Sequence, residues 1–278
     1  MTEESLDGVA RTALGVAMAR ARESERPDRM FDDPLAAVFV SASGDSVGRN
    51  IDALAPEARQ AVVAMYHWVT ARTRFLDGVC AAAVDDGLDQ VVIVGAGLDT
   101  RGFRLGWPAD LDLFEIDRTD IFTFKEKALD DASARPTCRR HVVVADLMND
   151  WDTTLADAGF DNARRTLWLA EGLFVYFPAD DVRRLLTTIT ELSPPGSRFG
   201  VTTRSVDAST ATPISNDPHA AVRALWHHTE FEIVDWLSEN GWEPTVTDPR
   251  DVLVEAGRIA PSVVNPVGRP RLVSALRS

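Results

Sequence analysis

Lysine is almost missing from this chain: only Lys125 and Lys127 occur, and arginine carries the rest of the basic charge. The 29 basic residues face 43 acidic ones, for a formal net charge of −14, and no Lys/Arg block interrupts the excess. Such a field repels a polyanion, so no nucleic-acid partner is expected. Cysteine is as scarce. Cys80 and Cys138 stand alone with no CxxC spacing, which fits a reduced, cytoplasmic protein without a zinc site. No apolar run approaches the roughly 20 residues of a membrane span, and the acidic N-terminus lacks the apolar stretch of a signal peptide. No membrane partner and no leader are expected. No H-E-x-x-H motif and no internal repeat are visible, so no metal is expected. What remains is 278 residues, 45% hydrophobic, enough for one large α/β domain with a smaller cap.

The stretch Gln90-Val-Val-Ile-Val-Gly-Ala-Gly-Leu-Asp-Thr-Arg101 carries the strongest signal. Val91 to Val94 is a short, β-branched apolar run, suited to a strand buried on both faces. Gly95, Ala96 and Gly97 follow at once, and a strand ending in Gly-x-Gly lets backbone approach a bound nucleoside closely. Asp117 lies 20 residues beyond Gly97, at the end of a second strand-like run, Leu111 to Asp117. A carboxylate there can accept hydrogen bonds from both ribose hydroxyls. The dinucleotide fingerprint wants a third glycine where this chain has Thr100. That departure disfavours NAD and favours a nucleoside cofactor without a pyrophosphate, such as S-adenosylmethionine.

Residues 1–85 read as mostly helical and precede the first strand. Val9 to Arg22 has a rough helical period. Asp33 and Pro34 read as the N-cap and first position of a second helix. Residues 41–50 read as a loop, and Pro56 opens a long helix that carries His67, Arg72 and Arg74. Beyond Gly97, Asp99-Thr100-Arg101 should begin a crossover helix, with Asp99 or Thr100 as N-cap. Thr119 to Asp130 reads as a helix and Arg140 to Leu147 as the third strand, with Asp146 just past its end. Asp146 either accepts from an adenine amino group or caps a helix from Asn149 onward. Thr166 to Ala170 is strand four. Glu171 follows it, where a charge next to a buried run needs a cationic or donor partner. Tyr176 sits in the loop beyond, placed to hold a substrate oxygen. Ala179 begins a helix stopped by Pro194-Pro-Gly196, and Arg198 to Thr203 is strand five. Residues 204–230 break the rhythm and read as an insertion at the mouth of the site. Glu230 to Asn240 is a helix ended by Gly241. Trp242 to Thr247 and Arg271 to Ala275 read as two last strands.

Several of these stretches resemble one family, the S-adenosylmethionine-dependent methyltransferases related to leucine carboxyl methyltransferase. The chain looks most like the bacterial branch that includes polyketide carboxyl O-methyltransferases. The resemblance is carried by Arg11-Thr-Ala-x-x-Val-Ala-x-x-Arg-Ala21, Phe31-Asp-Asp-Pro-Leu-Ala36, Ala71-Arg-Thr-Arg-Phe-Leu-Asp77, Val94-Gly-Ala-Gly-Leu-Asp-Thr-Arg101, Phe114-Glu-Ile-Asp117, Ala145-Asp-Leu147 and Ala170-Glu-Gly-Leu-Phe-Val-Tyr176. It implies a class I methyltransferase fold: a Rossmann-like, doubly wound sheet with an antiparallel C-terminal strand. Residues 1–85 would form an N-terminal helical cap and residues 86–278 the cofactor-binding domain. It implies that Gly95, Ala96, Gly97, Asp117, Asp146, Leu147 and Glu171 line the cofactor pocket. Arg20 would meet the cofactor's carboxylate, Arg72 would be shared between that carboxylate and the substrate, and Tyr176 would orient the substrate. The implied reaction is O-methylation of a small molecule, with a carboxylate as the expected acceptor. Alternatives are a phenol or alcohol acceptor served by His67, His227 or His228 as base, and an NAD-dependent oxidoreductase on a similar sheet. Oligomeric state is not readable from the sequence.

Overall fold

The computed structural model describes residues 8–44, 55–205, 231–260 and 269–278. Helices α1 (Gly8–Ser24), α2 (Pro34–Ala42) and α3 (Pro56–Asp85) precede the first strand. The sheet then runs through β1 (Gln90–Val94), β2 (Asp112–Asp117), β3 (Arg139–Val144), β4 (Thr166–Ala170) and β5 (Arg198–Ser205). Between these strands lie α4 (Arg101–Arg104), α5 (Thr119–Asp131), α6 (Trp151–Asp157) and α7 (Ala179–Glu191). The chain ends with α8 (Ile233–Glu239), β6 (Trp242–Thr247), α9 (Pro249–Glu255) and β7 (Arg269–Arg277).

The strand order is β3-β2-β1-β4-β5-β7-β6. The first five strands are parallel, and β7 enters antiparallel between β5 and β6. The order reverses between β1 and β4, and open α/β sheets bind ligands outside the strand ends at such a reversal. β1 and β4 are buried at every position, as their continuous apolar runs require. One core layer packs α6, α7 and α8 on Val92, Phe114, Trp168 and Phe199. The other packs Leu76, Cys80 and Ala83 of α3 on Val91, Ile93, Leu167 and Leu169. With 30 residues, α3 is about 45 Å long, so its N-terminal half projects past the strand ends. On α2, Ala36 and Phe39 pack with Ala17 of α1 and Ala128 and Leu129 of α5.

Asp33 caps α2 as the sequence suggests, with Oδ1 accepting the Ala36 amide at 3.1 Å. The crossover helix after β1 starts at Arg101 with Thr100 at the N-cap position, as expected, and three points correct or extend the sequence reading. The crossover helix after β1 is a single turn, α4, because Gly106 and Pro108 follow and the Trp107 indole donates to the Arg101 carbonyl at 2.7 Å. The Leu105 amide donates to the same carbonyl at 3.2 Å and ends the turn. Second, α6 starts at Trp151, so Asp146 does not cap it. Third, a helix unseen in the sequence reading, α9, lies between the last two strands, opened by Asp248 accepting the Arg250 amide at 2.8 Å. Most of the expected insertion, residues 206–230, lies outside the described residues.

Candidate active site

A cavity of about 470 Å³ opens at the C-terminal ends of β1, β2, β4 and β5, and α1 and α3 wall its outer side. Its volume suits a small-molecule site. Arg20, Arg72, Gly95, Ala96, Gly97, Asp117, Asp146, Leu147, Glu171 and Tyr176 all line it.

The floor is the turn after β1. Gly95 and Gly97 have φ of +67° and +50°, a region that L side chains rarely adopt. A Cβ on Gly95 would come within 2.5 Å of Leu173 Cδ1. Asp117 accepts the Gly97 amide through Oδ2 at 2.6 Å and the Arg118 amide through Oδ1 at 2.7 Å. A carboxylate has about four acceptor positions, so it can still receive two ribose hydroxyls. Burial pushes its pKa up, against the lowering effect of the two amides.

At the rim, Asp146 is exposed and forms a local turn, its Oδ1 accepting from the Met148 amide and its Oδ2 from the Asn149 side chain, both at 2.9 Å. Leu147 beside it is buried. Tyr176 ends a 3₁₀ turn, Phe174–Tyr176, and is half-buried. Its hydroxyl has no protein partner among the described residues.

Opposite Asp117 stands an ionic network. Glu171 Oε1 accepts from Arg72 Nε at 2.8 Å and Oε2 from Arg101 Nη1 at 2.8 Å. Arg101 Nη1 also contacts Asp99 Oδ2, and its Nε donates to Asp77 Oδ1 at 2.9 Å. Arg104 grips both oxygens of Asp77, at 2.7 and 2.8 Å. Arg20 pairs with Asp33 at 3.0 Å and donates to the Leu98 carbonyl at 2.5 Å. Burial works to raise the pKa of Glu171, but Arg101 and then Arg72 outweigh it, and the carboxyl is held below its ordinary value. Asp99 is likewise opposed by burial, and Arg101, Arg20 and Lys125 bring it down to about 2.

The sequence anticipated a cationic or donor partner for Glu171, and the protein itself supplies Arg72 and Arg101. Asp77, Asp99, Arg101 and Arg104 escaped the sequence reading as site residues. Asp77, Asp99 and Arg101 fell within two stretches that carry the family resemblance, Ala71 to Asp77 and Val94 to Arg101, but no site role was drawn for them. Of the suggested bases, His67 lies elsewhere, in a separate cavity of about 90 Å³ with Glu23, Tyr66 and Arg258. Burial, then the Arg258 and Arg26 charges, lower its pKa. His227 and His228 lie outside the described residues. Among the described residues no histidine lines the main cavity, and no cluster of His, Cys, Asp and Glu could hold a metal.

The donor set fits an adenosyl ligand with an amino-acid end: a glycine turn, an acidic strand end for the ribose, and paired charges for an ammonium and a carboxylate. Comparison with known proteins agrees. Two solved structures share the fold: a DUF574-family protein from Streptomyces avermitilis, with TM-score 0.59 and 13% identity over 94% of this chain and 97% of that one, and a Thermobifida fusca protein titled "putative methyltransferase", with TM-score 0.60 and 14% identity over 99% and 97%. Residues 13–190 match the leucine carboxyl methyltransferase family. A Parafrankia protein named "Putative S-adenosyl-L-methionine-dependent methyltransferase Franean1_4929" is 42% identical over 94% of this chain and 85% of its own. A Mycobacterium tuberculosis protein with the same kind of name is 38% identical over 92% and 86%. The chain belongs to the leucine carboxyl methyltransferase family. It is an S-adenosylmethionine-dependent methyltransferase, and the NAD-dependent oxidoreductase alternative falls.

Proposed function

We propose that this methyltransferase esterifies a carboxylate of a small molecule. Bound S-adenosylmethionine supplies a methyl group on a sulfonium, already activated for in-line displacement. The residues then have two tasks: to orient an acceptor and to keep water out. A carboxylate acceptor is ionised at neutral pH and needs no general base. One observation carries the reading. Arg72 lines the cavity with Nε committed to Glu171 and its guanidinium over the Trp68 ring, and its two outer nitrogens have no hydrogen-bond partner among the described residues. A guanidinium so presented suits a carboxylate, and the Tyr176 hydroxyl can donate to the same acceptor. Val16, Met65, Trp68 and Val175 supply apolar walls for its body.

In this reading Asp117 receives the ribose hydroxyls, and Gly95, Ala96 and Gly97 approach the nucleoside. Asp146 and Leu147 edge the adenine, and Arg20, Arg72 and Glu171 meet the amino-acid end. Residues 1–85 act as a cap over the domain of residues 86–278. The hydroxyl alternative needs a base, and the histidine suggested within the described residues, His67, lies outside this cavity.

The test is chemical. The enzyme is supplied with radiolabelled cofactor and a panel of carboxylic acids and phenols, and the product is treated with alkali. A methyl ester releases labelled methanol, which the proposal expects. A label that survives alkali on a phenol or alcohol would overturn it.

A further inference from the structure

Arg101 is 1% exposed and does not line the cavity. It stands directly behind the wall. Its guanidinium joins Asp99 in the turn after β1, Glu171 at the end of β4, and Asp77 on α3. Asp99 and Glu171 do line the cavity. The ion pairs form a balanced set: Asp33, Asp77, Asp99 and Glu171 against Arg20, Arg72, Arg101 and Arg104, none more than 10% exposed. A buried cluster without net charge can admit a zwitterion, one ammonium and one carboxylate, without leaving an unpaired charge in low dielectric. Removal of Arg101 would set Asp99 and Glu171 against each other with no cation between them.

We propose that Arg101 is a positioning residue for the amino-acid end of the cofactor. It holds Asp99 and Glu171 side by side on the cavity wall, where their free lone pairs meet the ammonium. That leaves the outer nitrogens of Arg72 for carboxylates. A planar guanidinium serves three carboxylates at once; a lysine ammonium on a single-point stem does not. The depressed pKa values of Asp99 and Glu171 agree with a site kept anionic for a cation. The proposal rests on the placement of S-adenosylmethionine in this cavity with its ribose at Asp117.

The test compares two ligands on the full chain. S-adenosylhomocysteine carries the amino-acid end, whereas 5′-methylthioadenosine has the same adenosine and thioether without it. Arg101→Lys should weaken S-adenosylhomocysteine on the order of tenfold or more and leave methylthioadenosine within about twofold. Equal weakening of both ligands, or of neither, would overturn the proposal, because a purely structural role cannot tell them apart. Asp77→Asn, which loosens the α3 anchor but keeps the Arg101 charge, should show the same selective loss on a smaller scale. If Arg101→Lys does not fold, this variant decides by the same criterion. Failure of both variants to fold would make Arg101 a scaffold residue and overturn the proposal as well. Wild-type protein that binds neither ligand would instead sink the cofactor placement, and the proposal with it.

Discussion

Asp117 and Gly97 are one unit: the carboxylate Oδ2 holds the glycine amide at 2.6 Å, strand end to strand end. The turn that lets backbone approach a ligand thereby also aims the acid proposed to receive its ribose. Burial has the largest effect on this half-buried carboxylate and raises its pKa, against the two amides and the Lys125 and Arg118 charges.

Asp117 should therefore impose a pH dependence on cofactor binding. Its raised pKa means that it takes up a proton above the ordinary aspartate range, and a protonated carboxyl offers fewer acceptors. The affinity for S-adenosylhomocysteine should fall as pH is lowered towards the ordinary aspartate range, and the fall should begin above that range. Asp117→Asn should flatten that fall. The sign for folding is opposite. A carboxylate with a raised native pKa costs stability above that pKa, and the cost is relieved as pH falls, so Asp117 cannot drive acid unfolding.

Part of the acid sensitivity should come from Asp99, alongside Glu171, whose pKa is also lowered. The native value of Asp99, about 2, lies below the ordinary 3.8. A depressed carboxylate contributes stability that is complete above its unfolded pKa and is lost as pH falls through the native one. The contribution is on the order of 2 kcal/mol at neutral pH and should vanish between about pH 4 and pH 2. Denaturant titrations across that window should show the loss, and Asp99→Asn should be less stable at neutral pH with a shallower slope below pH 4.

Gly95 is constrained from two sides. An alanine there keeps a strained positive φ, and its Cβ meets Leu173. Gly95→Ala should cost about 2 kcal/mol. Adding Leu173→Ala should remove the overlap but not the backbone strain. A double-mutant cycle by chemical denaturation should give a favourable coupling of about 1 kcal/mol. Strictly additive effects would mean that the two side chains do not meet. Gly97→Ala should do less, because its Cβ would stand 3.6 Å from its nearest neighbour, Ala13.

The elements readable in advance are those whose residues are determined by local physics. β1, β4 and β6 and the start of α7 fall where apolar runs and turn residues placed them. Gly95, Gly97 and Asp117 could be picked out together because spacing along two strands is a local property, and all three line the cavity. The ionic network was not legible, since Arg72 and Glu171 are 99 residues apart and Arg101 and Glu171 are 70 apart. No period or motif couples such positions; only the fold brings them together. The single turn of α4 ends where the Leu105 amide and the Trp107 indole both donate to the Arg101 carbonyl, the second a side-chain contact that pattern does not reveal. β7 was expected as a strand, but its place between β5 and β6 is a matter of topology.

His67 provides a control on the chemistry. It faces the small cavity with Glu23 and Arg258. His67→Gln should leave methyl transfer within about twofold of wild type, while general-base removal typically costs about a hundredfold or more. A loss of that size in kcat would revive the hydroxyl acceptor.

The most direct measurement is calorimetric titration of S-adenosylhomocysteine into wild-type protein and Asp117→Ala. The account predicts saturable binding by wild type and a loss of about 1–3 kcal/mol in the variant, the cost of leaving the ribose hydroxyls without their acceptor. Equal affinity in the two proteins would place the nucleoside somewhere else and contradict the account.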